Sequence, residues 1–149
     1  MIKQASVTDA SAEQAKGAIY IDVRSTREFA AGHPAGAVNI PVMDYDEDTG
    51  QPAPNADFVR VVQANFASDA PLLVGCQMGG RSLRAAQMLE TFGFTDVTNV
   101  LGGFGGSRDR MSGRVVDPGW EESGLPVEEG EPPHASYASL ARKADDAPR

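Results

Sequence analysis

The sequence predicts an α/β protein built on a parallel sheet of about five strands with helices on both faces. Three observations predict it. Short apolar runs alternate with helical patterns along the 149 residues. The two clearest runs, residues 18–23 and 71–75, are mostly apolar without alternation, as in strands covered on both sides. The only cysteine, Cys76, opens a glycine loop between the second run and a helical pattern, and in parallel sheets chemistry gathers at the carboxyl ends of the strands.

Taken in order, residues 2–5 suit a short edge strand. Residues 8–16 read as a helix capped by Thr8 or Asp9 and stopped by Gly17. The strand at 18–23 ends in Arg24–Phe29, where Ser25 or Thr26 caps a single helical turn that stops at Gly32. Residues 33–36 read as a turn, with His33 a hydrogen-bonded turn residue rather than a catalyst. Residues 37–40 are a brief strand ended by Pro41. Residues 44–55 form a polar loop. Asp44, Asp46 and Asp48 suggest a calcium loop, but the glycine and the terminal glutamate fall at the wrong offsets, so a solvated loop is expected. Asn55 caps a helix over 56–67 that buries Phe58, Val61, Val62 and Phe66. The strand at 71–75 and a helix at 81–92 follow. The helix buries Ala85, Met88, Leu89 and Phe92 and stops at Gly93, and residues 94–100 give the last strand.

Residues 102–114 have no periodicity and are long for a connection, which makes them a candidate lid or binding loop. The glycines of 102–106 fit no phosphate-binding fingerprint well. Asp117-Pro118 is expected to start a short helix carrying Trp120, a core anchor. Residues 128–133 are an acidic, proline-containing linker. Residues 136–143 suit a short terminal helix docked by Tyr137 and Leu140, with the final residues frayed. The division expected is a domain over 1–127, with an insertion at 104–116, and a linker and terminal helix over 128–149.

Composition narrows the function. Hydrophobic residues make up 41% and charged residues 23%, ordinary for a globular domain, and no apolar run is long enough to span a membrane. The start of the chain lacks the apolar core of a signal peptide. One cysteine forms no internal disulfide, and one Cys with two His builds no usual zinc site; no metal and no cofactor are expected. A reducing cytoplasm fits these features. A formal charge of −8 argues against nucleic acid as a partner, because phosphate backbones require basic surfaces.

The stretch Cys76-Gln77-Met78-Gly79-Gly80-Arg81-Ser82 carries the chemistry. Glycines let the backbone curl, and the helix start leaves N–H groups unpaired, so the amides of residues 77–82 are expected to point at the sulfur. Such a nest favours a thiolate or a bound anion. A buried, inert cysteine at a strand end is the plain alternative. Arg81 has two readings: it binds an anionic substrate, or it pairs with Asp22 or Glu28 and braces the loop. Bracing is favoured, because a loop of this size needs its end fixed. Arg24 and Glu28 are read as structural partners.

These residues resemble a known family. Asp22-Val23-Arg24, Glu28-Phe29 and the run from Gly32 to Pro41 resemble the N-terminal signature of rhodanese-like domains. Cys76-x-x-Gly79-x-Arg81-Ser82 resembles their active-site loop. Leu101-Gly102-Gly103, Trp120 and Gly124-Leu125-Pro126-Val127 resemble their C-terminal signature. The resemblance implies a rhodanese-like sheet in which the cysteine strand lies between the 18–23 and 95–100 strands. It also implies sulfur transfer from thiosulfate, or another small anionic donor, through a Cys76 persulfide to cyanide or to a thiol, small or protein-borne. Two rival readings remain. A phosphatase or arsenate reductase on the same fold is disfavoured because Cdc25-type phosphatases carry a loop one residue longer. The other is a non-catalytic sulfur-carrier or regulatory module. The insertion departs from single-domain relatives. Its Arg108, Arg110 and Arg114 stand against the single acid Asp109 in an acidic chain; they are either simply solvated or part of a mobile, substrate-steering lid, with Phe104 and Met111 as its docking surface.

Overall fold

The structure, a computed structural model, describes residues 2–146. Strand β1 (Lys3–Ala5) leads into helix α1 (Val7–Ala15), capped by Ser6, whose Oγ accepts the Asp9 N–H at 3.2 Å. The cap precedes the expected Thr8 or Asp9 because Val7 and Ala10 form the buried face and both must lie inside the helix. Strand β2 (Ile19–Asp22) is followed by helix α2 (Thr26–Ala31). Ser25 and Glu28 cap α2 reciprocally, each side chain accepting the other's backbone N–H. Strands β3 (His33–Pro34) and β4 (Val38–Asn39) come next.

The stretch expected to be a polar loop folds instead into a hairpin of β5 (Met43–Tyr45) and β6 (Pro52–Pro54). Its prolines lie on an edge, where a missing N–H breaks no ladder. The Asp46 carboxylate is used in the turn, accepting the N–H groups of Asp48 and Thr49. The Arg27 guanidinium lies 4.9 Å from the Tyr45 ring centre and ties the hairpin to α2.

Helix α3 (Phe58–Asn65), strand β7 (Leu72–Gly75), helix α4 (Gly80–Thr91) and strand β8 (Val97–Val100) complete the sheet region. Phe92 is 59% exposed rather than buried. The helix ends there, Gly93 reverses the chain at φ +97°, and Phe94 fills the core instead. Strands β9 (Ser107–Arg108) and β10 (Val115–Asp117) pair as an antiparallel ribbon. No helix starts at Asp117-Pro118: residues 119–124 are hydrogen-bonded turns, held where the Gly119 N–H donates to Glu122 Oε1. Strand β11 (Val127–Glu128) pairs with β3, so His33 and Pro34 are strand as well as bend. Helix α5 (Tyr137–Asp146) ends the described chain.

The five-stranded sheet has the order β1-β8-β7-β2-β4 and is parallel throughout. The cysteine strand β7 thus lies between β2 and β8. One face packs Ile21, Val23, Val74 and Val97 against α3, α4 and α5. The other packs Tyr20, Leu73 and Val100 against α1, α2 and Trp120. Trp120 is fully buried, meets Tyr20 edge-on at 5.5 Å, and donates its indole N–H to the Pro126 carbonyl at 2.7 Å. The segment after Val127 lies on the domain. The Asn39 N–H donates to the Ala135 carbonyl, and Leu140 and Ala144 join the core beside α3. Beyond 143, where fraying is expected, α5 continues to Asp146 with Ala144 buried, and residues 147–149 lie outside the described residues. No helix among the described residues is long and apolar enough to cross a membrane.

Candidate active site

Cys76 follows directly on β7 and is 2% exposed. Residues 76–82 curl around its sulfur. The N–H groups of Gly79 and Ser82 donate to Cys76 Sγ at 3.1 and 3.3 Å, and Ser82 Oγ lies 3.4 Å away. Gly79 takes φ +120° with open space around its missing Cβ, so glycine serves the backbone turn that aims its own N–H at the sulfur. Helix α4 begins at the next residue, and its N-terminal partial charge faces the same point. Ser82 is fixed in turn by Asn99, whose Oδ1 accepts the hydroxyl at 2.6 Å from the end of β8.

Arg81 closes the loop by a bidentate pair with Glu28, Nη1 to Oε1 at 2.7 Å and Nη2 to Oε2 at 3.0 Å. Burial raises the Glu28 carboxyl, but the Arg81 bonds and charge, with the donors of Ser25, outweigh it and hold the pKa at about 2. Arg24 and Glu28 are not paired with each other. Arg24 is buried and grips both oxygens of Asp22, with Nη2 to Oδ2 at 2.7 Å. The same Nη2 donates to the Gly32 carbonyl, and Nη1 donates to Gln77 Oε1 at 3.1 Å. The Asp22–Arg24 pair therefore reaches the cysteine loop through the Gln77 side chain. Met78 is 64% exposed at the loop's crest, and Gly80 is exposed beside it.

The insertion does not sit over this loop as a free lid. The Phe104 N–H donates to the Cys76 carbonyl at 2.8 Å and the Gly105 N–H to the Gln77 carbonyl at 2.9 Å. Phe104 is buried under the Arg24 guanidinium, 4.5 Å from its ring centre. A Cβ at Gly103 would collide with the Cys76 carbonyl, and one at Gly105 with the Gln77 amide. These glycines permit close approach rather than motion. Met111, read as a docking residue, is 96% exposed at the ribbon's tip. Arg108 is bound by Glu122 at 2.8 Å, whereas Arg110 and Arg114 are exposed.

Two buried asparagines escaped the sequence reading. Asn99 holds Ser82, and Asn39 donates to the carbonyls of Asp22 and Arg24. Their signal was an amide inside an apolar strand run, which needs a polar partner when buried. His33 is also fully buried, stacked on Phe29, with Nδ1 2.7 Å from the Phe29 carbonyl.

Known proteins share this domain and this fold. Residues 6–108 match the rhodanese-like domain. The chain is 35% identical over 122 residues to thiosulfate sulfurtransferase 16, chloroplastic, of Arabidopsis thaliana, covering 82% of this chain and 89% of that protein. It is 38% identical over 110 residues to senescence-associated protein DIN1 of Raphanus sativus, covering 74% of this chain and about half, 52%, of that longer protein. The crystal structure of Rv0390 from M. tuberculosis superposes with a TM-score of 0.69 at 26% identity, covering 86% of this chain and 98% of the other. The chain belongs to the rhodanese-like sulfurtransferase family.

Proposed function

We propose that the protein transfers sulfane sulfur from thiosulfate or a related small anionic donor to a thiol, or to cyanide in the assay, through a Cys76 persulfide. The observation that carries this reading is the pair of backbone N–H groups, from Gly79 and Ser82, directed at Cys76 Sγ. The thiolate attacks the outer sulfur of thiosulfate, the sulfur–sulfur bond breaks, and sulfite leaves with the electron pair. The same two amides then help hold the terminal persulfide anion until a nucleophile takes its outer sulfur. The transfer is thus split into two displacements, and neither needs a general base.

In this reading Arg81 and Glu28 brace the loop, and Asp22 and Arg24 position Gln77. Gln77, Met78, Gly79, Gly80 and Ser82 surround the transferred sulfur. Arg110 and Arg114 steer anions from the ribbon's tip, with Arg108 held back by Glu122. The donor named in the Arabidopsis relative, thiosulfate, supports the substrate class. With Cys76 the only thiol, a reducing compartment such as the cytoplasm is the proposed setting. The test is turnover of thiosulfate and cyanide by purified protein, measured beside hydrolysis of p-nitrophenyl phosphate. Sulfur transfer without phosphatase activity is expected. Phosphatase activity alone favours the related hydrolases, and absence of both favours a carrier loaded only by a partner protein.

A further inference from the structure

Two clefts open on either side of Arg81. One, of about 220 Å3, is bounded by Ser25, Glu28, Asp44 and Tyr45. Glu28 is held ionised there, so this side repels an anion. The other, of about 280 Å3, lies between the β5–β6 hairpin and the first turns of α4. Val42, Met43, Pro54 and Met88 give it apolar walls, and Gly80 and Arg81 carry it to the loop that encircles Cys76 Sγ. Arg84 stands at its edge, one turn beyond Arg81 and one before Met88 on the same face of α4. Arg84 is exposed and has no ion pair among the described residues, while the Arg81 guanidinium is engaged by Glu28. Thiosulfate has no apolar part and does not account for these walls. The cleft therefore combines an apolar body with one uncommitted cation, in a chain of net charge −8.

We propose that this cleft binds the organic partner of the exchange: a small thiol, or its persulfide, with an apolar body of several carbons and a terminal carboxylate. The body lies against Met43, Pro54 and Met88, the carboxylate pairs with Arg84, and the sulfur end points to the Cys76 loop. The chemistry rests on the sulfur-transfer reading, but the binding does not. As acceptor, the ligand thiolate attacks the outer sulfur of the Cys76 persulfide. The bond to Sγ breaks, its electron pair returns to Sγ, and the ligand leaves as a persulfide. As donor, the same ligand runs the step in reverse. No oxidant or reductant is consumed in either direction.

Hexanoate, which carries the body and the charge but no sulfur, tests the cleft without the chemistry. In the full chain with methyl-labelled methionines, titrated hexanoate should shift Met43 and Met88 saturably and leave Met111 unmoved. Arg84→Gln should weaken hexanoate about fivefold, the scale of one exposed ion pair, without changing the binding of hexanol. Absence of saturable shifts at Met43 and Met88, or equal hexanoate affinity in Arg84→Gln, overturns the proposal. In turnover from thiosulfate, 6-mercaptohexanoate should show a lower KM than 2-mercaptoethanol. Arg84→Gln should raise the former about fivefold and leave 6-mercaptohexanol unmoved. A KM for 6-mercaptohexanoate no lower than that of 2-mercaptoethanol, in a protein that turns over thiosulfate, also overturns it. Loading of Cys76 by the persulfide of 6-mercaptohexanoate marks the ligand as donor, and removal of sulfur from loaded Cys76 marks it as acceptor. Transfer from thiosulfate to cyanide without hexanoate binding removes the cleft and keeps the reaction. Hexanoate binding without transfer does the opposite.

Discussion

The cysteine loop at 76–82 and the segment at 102–117 are neighbours, follow adjacent strands, and are both rich in glycine, yet their glycines do different things. Gly79 has open space around it and φ +120°; it is glycine so that the chain can turn an N–H toward Cys76 Sγ. Gly102 and Gly103 also have positive φ, but a Cβ on either would strike backbone, of Pro118 and Cys76 respectively. The first region uses glycine to present donors to a sulfur. The second uses it to bring two backbones together, so that the insertion is stitched to the loop rather than hinged over it. Composition alone does not separate a glycine that bends from a glycine that packs.

Substitutions sharpen this contrast, and the largest effect belongs to the sulfur itself. Cys76→Ser should fold with an unchanged urea midpoint and lose thiosulfate:cyanide turnover to background, because a hydroxyl forms no persulfide and no second cysteine exists. Gly103→Ala should be next. A left-handed φ of +56° and a collision with the Cys76 carbonyl predict a loss of about 2–4 kcal/mol in urea unfolding.

Glu28→Gln should act on the brace. Turnover should fall about 10- to 100-fold through misplacement of the loop's end. The variant should also change the acid limb of stability. The Glu28 pKa is lowered from 4.5 to about 2, so its contribution is fully present above the higher value and lost as pH falls toward the lower. The melting temperature of the wild type should therefore fall more steeply than that of Glu28→Gln over that window. Parallel curves would show that the ion pair does not hold the fold.

Smaller effects are expected outside these contacts. Changing Arg110 and Arg114 together to Ala should raise the thiosulfate KM about two- to threefold at low salt, and the difference should vanish near physiological strength, where exposed charges are screened. An unchanged KM at low salt would leave the ribbon no steering role. Gly80→Ala, with open space and no positive φ, should shift stability by no more than about 0.5 kcal/mol.

Much of this was legible in the chain. The apolar runs marked β2 and β7, and the step from Cys76 through Gly79 to a helical pattern marked the loop, because each feature is local. The hairpin at 43–54 was not legible. Asp46 and the prolines read as loop, and only the Met43–Pro54 pairing makes the stretch a strand pair. Phe92 fitted the buried stripe of α4, but the chain's reversal at Gly93 gave its place to Phe94. The sequence reads Arg24 and Glu28 as structural partners and offers Glu28, beside Asp22, as the brace for Arg81. The structure pairs Arg81 with Glu28, and Arg24 with its near neighbour Asp22 and with Gln77; the Arg24–Gln77 contact is set by which strands are adjacent. The packing of Gly103 on Cys76 depends in the same way on strand order, which no local pattern displays.

The central claim is that the Cys76 loop makes and holds a persulfide. Mass spectrometry of the intact protein and of its Cys76 peptide, after thiosulfate and removal of excess reagent, tests it most directly. The account predicts one added sulfur atom, located on Cys76, stable on standing and removed by cyanide with formation of thiocyanate. Turnover of thiosulfate and cyanide with no added sulfur on Cys76 at any time would contradict it.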